Sequence, residues 1–231
     1  MKDKTANEIC QVDADAEKLL LARLAASGGE NVNALWDLAT FYSTTSEPMA
    51  AMKYVEKLSS LADNAEDKAH CYLSMDQIME RNDDNENAIK FYKQAFALEP
   101  MSNNTWYLIN NNLGYCLNQL GRYAEATSYC MAAIKINPER HNAYKNLGLA
   151  FEGKGEYPIA AKCFFKAVMV NAADPRSLAH LEKLIAQHSE LLTQMPELSA
   201  RITASRSFLR RSICRRSSCS GESLGRFFIK F

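Results

Sequence analysis

The segment from Tyr107 to Asp174 consists of two consecutive 34-residue stretches, 107–140 and 141–174, whose residues match when the two are aligned. The matching positions carry apolar or small residues. In the first stretch they are Leu113, Gly114, Leu117, Ala126, Cys130 and Ala133, and in the second Leu147, Gly148, Phe151, Ala160, Phe164 and Ala167. A period of this length is typical of helical hairpins stacked in an array. The repeat therefore predicts an all-α chain that presents a surface to a partner.

Each 34-residue stretch contains two apolar stripes with helical spacing. In the second stretch the stripes are Tyr144, Leu147, Gly148 and Phe151, followed by Ala160, Phe164 and Ala167. Small residues at Gly148 and Ala160 allow two helix backbones to approach closely, and the large residues fill the remaining space. Gly155 provides the conformational freedom that the turn between the helices needs.

The segments NLGYCLNQLGRYAEATSYCMAAIKINP and YKNLGLAFEGKGEYPIAAKCFFKAV resemble the tetratricopeptide repeat family. This resemblance covers residues 32–195, where weaker units at 32–65 and 69–102 precede the two clear ones. It implies a right-handed α-solenoid of about four hairpins, closed by a helix at 175–195. The first unit keeps Leu35, Leu38, Ala39, Tyr42, Ala51, Val55 and Leu58.

Three features of the chain depart from a regular array. Asp76 occupies a position that is small in the other units, so we expect looser packing there. Four extra residues, NNTW, precede residue 107 and are expected to extend the following helix by about one turn. The segment 1–31 is predicted to hold a flanking helix from about Asp15 to Ala26, and 176–194 to form one closing helix with Leu192 on its apolar face.

The composition favours a binding protein in a reducing cytoplasmic compartment. No apolar run is long enough to span a bilayer, and MKDKTANEIC lacks the apolar core of a secretion signal. The seven cysteines are scattered without a Cys-x-x-Cys pair, at Cys10, Cys71, Cys116, Cys130, Cys163, Cys214 and Cys219. Neither a His-Glu-x-x-His motif nor a phosphate-binding glycine loop is present. We therefore expect no enzyme, no metal, no cofactor and no small-molecule substrate.

The resemblance also implies which residues bind a partner, since first helices of this family line a concave groove. Carried onto this chain, the groove residues are Asn111, Asn112, Tyr115, Asn118, Asn142, Lys145, Asn146, Arg176 and His180. An asparagine amide donates and accepts hydrogen bonds, so Asn112 and Asn146 suit the main chain of an extended peptide. The alternative is that the asparagines reflect biased composition on a solvated helix face.

The family also includes two narrower functions. A carboxylate clamp, as in co-chaperones, is matched outright only by Asn146, with Arg176 as a charge-preserving substitute. A chaperone for a secreted client, or a recognition subunit of a larger enzyme or secretion complex, would depend more on Leu108 and Leu149 than on the asparagines. We expect a scaffold that binds a peptide segment of another protein.

The segment 196–231 differs from the rest of the chain in composition. Residues 1–200 carry a net charge of −7 and residues 201–231 a net charge of +7, with seven arginines in the latter. One interpretation is a membrane or nucleic-acid adaptor that binds phosphate groups. Others are kinase sites, a partly disordered extension or the product of an altered reading frame. A helix within 197–213, after Pro196, is also compatible with the sequence.

Overall fold

The computed structural model describes residues 2–45, 47–81, 83–200 and 202–208. These residues form α-helices joined by short connections, without a strand among them, which confirms the predicted all-α class. The chain divides into two compact units, Met1–Leu120 (unit 1) and Gly121–Phe231 (unit 2), each described by itself. The domain limits predicted at residues 31 and 195 stay a prediction.

Unit 1 contains helices α1 (Lys2–Ala26), α2 (Val32–Thr44), α3 (Pro48–Leu61), α4 (Ala65–Arg81), α5 (Asn85–Ala97) and α6 (Asn103–Gln119). Unit 2 contains α7 (Tyr123–Ile136), α8 (His141–Gly153), α9 (Tyr157–Val170), α10 (Pro175–Gln187) and α11 (Leu191–Gln194), with further helical residues at 197–200 and 202–208. Helix α1 is longer than the sequence predicted, because it begins at Lys2 rather than at about Asp15.

Side-chain caps fix where several of these helices begin. The Asn31 side chain accepts a hydrogen bond from the backbone N–H of Ala34 at 2.9 Å, and Asp84 accepts one from Asn87 at 3.3 Å. Ser102 caps α6 in the same way. Each cap gives a partner to a first-turn N–H group that has no acceptor within the helix.

The core of unit 1 is formed by α2, α3 and α4. Its buried members are Leu35, Leu38, Ala39, Tyr42, Ala51, Met52, Val55, Leu58, Cys71, Met75 and Ile78. All seven apolar residues that the sequence assigned to the first unit are among them. Helix α1 covers this core: the Tyr42 hydroxyl donates to Glu17 at 2.5 Å, and Arg23 lies 2.8 Å from Asp37.

Helix α4 carries two carboxyl groups that are shielded from water to different degrees: Asp76 is buried and Glu80 is half-buried. Asp76 has no exposed surface, and neither of its side-chain oxygens has a hydrogen-bond partner. Glu80 accepts hydrogen bonds from the Tyr92 hydroxyl at 2.7 Å and from the Cys116 thiol at 3.4 Å. Burial, reinforced by the charge of Glu80, raises the pKa of Asp76 to about 10. Asp76 is thus fully enclosed, and its burial favours the protonated form of the carboxyl. The expectation of looser packing at this position stays a prediction.

The junction between α5 and α6 has the longer helix that the sequence predicted. Helix α6 begins at Asn103, so the four-residue insertion does lengthen this helix. Trp106 lies in the added turn and packs edge-on against Phe96, with ring centroids 4.8 Å apart. From α4, the Glu66 carboxylate accepts a hydrogen bond from the backbone N–H of Ser102 at 3.1 Å and so joins α4 to the start of α6.

In unit 2, α8 and α9 form a hairpin around a close glycine contact. The aromatic ring of Phe164 lies directly over Gly148, and both residues are buried. The turn between the two helices contains Gly155, whose φ of +77° lies in the left-handed region that favours glycine. In unit 1, Asp83 adopts a φ of +58° between α4 and α5, at the equivalent position of its repeat.

The closing segment of unit 2 differs from the single helix expected over 176–194. Helix α10 ends at Gln187, and the short α11 begins at Leu191. The break changes which side chains face the core: Leu191 is 1% exposed, whereas Leu192 is 36% exposed. Since His188 has left helical geometry, the periodicity of α10 no longer applies beyond it.

Residues after Pro196 contribute to the core of unit 2. Leu198 and Ile202 are buried in the same cluster as Leu181, Leu184 and Leu191. This confirms helical structure after Pro196 up to residue 208. Residues 209–231 lie outside the described residues. The interpretations of this segment as a membrane or nucleic-acid adaptor, as kinase sites, as a partly disordered extension or as the product of an altered reading frame therefore stay predictions.

Candidate functional site

Helices α8 and α10 of unit 2 carry five of the residues that the sequence singled out. Asn142, Lys145 and Asn146 lie on α8, where a spacing of three or four residues places them on neighbouring turns of one face. Arg176 and His180 lie four residues apart on α10. Arg176 is exposed; Asn142, Lys145 and His180 are half-buried; and Asn146 is buried.

The electrostatics of this face are dominated by cations. Burial, followed by the charge of Arg176, lowers the pKa of the Lys145 ammonium. Among the described residues no carboxylate forms an ion pair with Lys145, although Asp174 acts on it at longer range. A half-buried ammonium without a paired anion favours the approach of a negatively charged group.

Asp174 fixes the start of α10 and the position of Arg176. Its carboxylate accepts hydrogen bonds from the backbone N–H of Ser177 at 3.1 Å and from the Ser177 hydroxyl at 2.7 Å. The Nε of Arg176 donates to the other oxygen at 3.1 Å. Burial alone would raise the pKa of Asp174, but the hydrogen bonds from Ser177 and Arg176 lower it to about 2. Four guanidinium N–H donors of Arg176 remain beyond this contact.

His141 completes this network from the first turn of α8. Its Nε2 lies 3.4 Å from the Asp174 carboxylate, and its Nδ1 lies 3.4 Å from the side-chain amide of Asn171. Burial lowers the pKa of His141, against the opposing effect of Asp174. From the sequence alone, Asp174 is expected only to start a helix together with Pro175. The Asp-Pro-x-Ser pattern is a capping signal, but nothing in it indicates the contacts with His141 and Arg176.

His180 connects this face with the core of unit 2. Its imidazole stacks on the ring of Phe164, with centroids 5.3 Å apart and an interplanar angle of 12°. Burial, followed by the charges of Lys145 and Lys183, lowers the pKa of His180. The imidazole is therefore harder to protonate than an ordinary histidine, and a nearby anion that offsets these charges would favour its cationic form.

The other four residues singled out by the sequence lie on α6 of unit 1. Asn111 and Asn118 are buried, with 8% and 9% exposure, while Asn112 and Tyr115 are half-buried. The Asn111 amide donates to the side-chain oxygen of Asn112 at 2.8 Å. Part of the hydrogen-bonding capacity of this asparagine run is therefore used within α6, which leaves Asn112 and Tyr115 as its more accessible members.

The described residues contain neither a recognisable metal site nor a membrane-spanning helix. No group of three or more His, Cys, Asp or Glu side chains within them has an arrangement that would hold a metal ion. In the same residues, no helix has the length and apolar character needed to cross a bilayer.

Comparison with known proteins supports the repeat geometry. The sequence model of the tetratricopeptide repeat matches residues 107–140, the first of the two aligned stretches. The chain therefore contains a tetratricopeptide repeat at residues 107–140. Its relatives include tetratricopeptide repeat-containing protein trd-1 of Caenorhabditis elegans, which is 27% identical over 124 residues. That match covers 54% of this chain but only 15% of the relative, so the chain corresponds to a small part of that protein.

Solved structures extend the similarity to most of the chain. MamA (41-end) from Desulfovibrio magneticus RS-1 has a TM-score of 0.61 and 17% identity, and the match covers 78% of this chain and 96% of that one. YrrB, described as a tetratricopeptide repeat protein with an unusual peptide-binding site, has a TM-score of 0.54 and 19% identity, covering 78% and 86% respectively. At these identities the matches show the fold, an α-solenoid of helical hairpins, which is typical of protein-interaction modules.

Proposed function

We propose that this protein binds an extended, acidic peptide segment of a partner protein on the face formed by α8 and α10. The observation that carries the proposal is the half-buried Lys145, which has no ion-pair partner among the described residues and lies within electrostatic range of Arg176 and His180. An acidic side chain or a terminal carboxylate would supply the missing negative charge.

The amides on α8 would complement these cations. Asn142 is half-buried beside Lys145, and a primary amide both donates and accepts hydrogen bonds. It can therefore pair with a peptide main chain regardless of sequence. Asn146 is 3% exposed and would act where the peptide lies closest to the helix. On α6 of unit 1, the half-buried Asn112 and Tyr115 offer a further amide and a hydroxyl group to a peptide.

The role proposed for the whole molecule is that of a scaffold, or a component resembling a co-chaperone, without a catalytic step. Peptide binding by YrrB is compatible with this role. A cytoplasmic location is part of the same proposal. It is supported by four cysteines without disulfide partners in the described residues: Cys71, Cys116, Cys130 and Cys163.

The direct test measures binding of an extended peptide with alternating Glu and Leu residues, compared with its Lys-for-Glu counterpart. We expect the full chain to prefer the acidic peptide, and Lys145→Glu to weaken its binding about tenfold, since reversal replaces attraction by repulsion. Lys162→Glu on α9 is the matched control because it makes the same charge change at an exposed position. Titration calorimetry gives the affinities, and circular dichroism checks that the variants are folded.

Three results would contradict the proposal. Equal binding of the acidic and basic peptides would exclude recognition by charge. Equal losses in Lys145→Glu and Lys162→Glu would assign the effect to net charge rather than to this face. A preference for an uncharged leucine-rich peptide would favour a chaperone for an apolar client instead.

A further inference from the structure

Unit 1 contains a cavity of about 370 Å³ between α2, α3 and α4. Its apolar walls include Val32, Trp36, Leu58 and Leu61, and two carboxylates, Asp63 and Asp67, lie among the residues that line it. Cavities that hold small ligands or anchoring side chains begin at about 300 Å³, so this one can admit a single large side chain.

The apolar walls of the cavity include side chains that are packed in the core and side chains that are exposed to water. Leu58 is only 3% exposed and belongs to the core of unit 1, whereas Val32 is 49% exposed. Trp36 is half-buried and packs against the same core. An apolar group in this cavity would therefore contact a rigid wall formed by Leu58 and bury surface of Val32 that now faces water.

The charge around the cavity has one sign. Asp63 and Asp67 are both exposed, and no Lys or Arg is among the described residues that line the cavity. Asp67 is held in place because its carboxylate accepts a hydrogen bond from the Asn64 side-chain amide at 2.8 Å. His70, the remaining titratable side chain of the lining apart from Cys71, lies 3.5 Å from Glu66. A cationic group would thus meet negative charge here.

We propose that this cavity is a second docking site, which takes a large apolar side chain flanked by Lys or Arg from a partner protein. The apolar side chain would fill the space beside Trp36, and the neighbouring cation would lie near Asp63 and Asp67. This site has the opposite charge preference to the face proposed on α8 and α10, and it depends on none of the same residues.

The experiment uses the full chain and a peptide probe with the sequence Gly-Ser-Lys-Trp-Lys-Ser-Gly, acetylated and amidated. Two matched peptides replace Trp by Ala or both Lys by Glu. Binding is followed in ¹⁵N-labelled protein by shifts of the Trp36 indole N–H and of the backbone amides of Leu61 and Asp63. We expect the Lys-Trp-Lys peptide to cause saturable shifts and the two matched peptides to cause none.

Variants of the protein then locate the site. Asp63→Lys should weaken binding about fivefold, since it reverses one exposed charge at the cavity. Glu56→Lys makes the same charge change at an exposed position on α3 outside the cavity and should leave binding within twofold. Ala62→Phe, which places a ring in the cavity from its half-buried lining, should abolish the shifts while the circular dichroism spectrum stays unchanged.

Several results would overturn the proposal. They are the absence of shifts at millimolar Lys-Trp-Lys peptide, equal binding of the Glu-Trp-Glu peptide, and equal effects of Asp63→Lys and Glu56→Lys. Concentration-dependent self-association that shifts the same resonances without peptide, detected by sedimentation, would assign the cavity to a second copy of the chain and overturn it as well.

Discussion

A Cβ atom placed on Gly148 would lie 2.6 Å from the Cδ1 atom of Phe164. The ring cannot move aside easily, because Phe164 has no exposed surface and stacks on His180. Residue 148 must therefore be glycine for α8 and α9 to keep this separation, which is the physical basis of the small residue in the repeat.

We expect Gly148→Ala to reduce the free energy of unfolding by about 1–3 kcal/mol through overpacking, although alanine is the better helix former. Chemical denaturation followed by circular dichroism measures the change. Phe164→Leu introduced together with Gly148→Ala should restore part of the loss, because the smaller side chain makes room. Strictly additive effects of the two substitutions would mean that the contact does not limit stability.

The raised pKa of the buried Asp76 carboxyl predicts that the free energy of unfolding depends on pH. The folded protein keeps a proton on this carboxyl up to a pKa of about 10, whereas the unfolded chain releases it near the ordinary value of 3.8. Stability should therefore fall as the pH rises between these values, by up to about 1.4 kcal/mol per pH unit. Asp76→Asn keeps the shape of the neutral carboxyl, so it should flatten the dependence and raise stability at pH 8.

Denaturation midpoints of the wild type and Asp76→Asn between pH 5 and pH 9 give this comparison. Asp63→Asn, at an exposed position, is the control and should follow the wild-type curve. Parallel curves for all three proteins would refute the role of Asp76.

Asp83 offers a stabilising substitution. Its φ of +58° lies in a region that costs non-glycine residues energy, and Gly155 takes the same turn position in unit 2 with a φ of +77°. Asp83→Gly should raise the free energy of unfolding by about 0.5–1 kcal/mol, and Gly155→Ala should lower it by a similar amount. Thermal denaturation of both variants tests the pair. A loss of stability in Asp83→Gly would show that its side chain matters more than the backbone strain.

His180 should make the proposed peptide binding dependent on pH. Lys145 and Lys183 contribute to the lowered pKa of this imidazole, so a bound anionic peptide would offset their charges and raise it. Binding then takes up a proton, and affinity for the acidic peptide should increase between pH 8 and pH 6. His180→Gln should remove most of this increase. Calorimetry in buffers of different ionisation enthalpy counts the protons, and an absence of proton uptake would contradict the coupling.

Leu198 tests whether the residues after Pro196 support unit 2. The side chain has no exposed surface and belongs to the core cluster of this unit. Leu198→Ala should therefore cost about 2–4 kcal/mol. Glu197→Ala, at the adjacent exposed position, should change stability by less than about 0.5 kcal/mol. Similar melting temperatures for both variants would make this helical segment dispensable.

How far the sequence alone reaches is shown by particular residues. The 34-residue period identified the hairpins, the small residue at Gly148 and the buried apolar residues of the first unit. These features depend on contacts between residues close in sequence, where helical spacing decides which side chains share a face. The sequence also placed Lys145 and Arg176 in the candidate site, through the resemblance of the repeats.

The tertiary structure alone decided the environment of the polar residues. Whether Asp76 meets water or a closed core, and whether Asp174 contacts only its own helix or His141 as well, depends on neighbouring helices whose side chains a linear pattern does not locate. The same holds for the cavity between α2, α3 and α4, and for the break after Gln187 that buries Leu191 instead of Leu192. Periodicity specifies which face of a helix is apolar, whereas burial, pKa and cavity shape arise only once helices pack together.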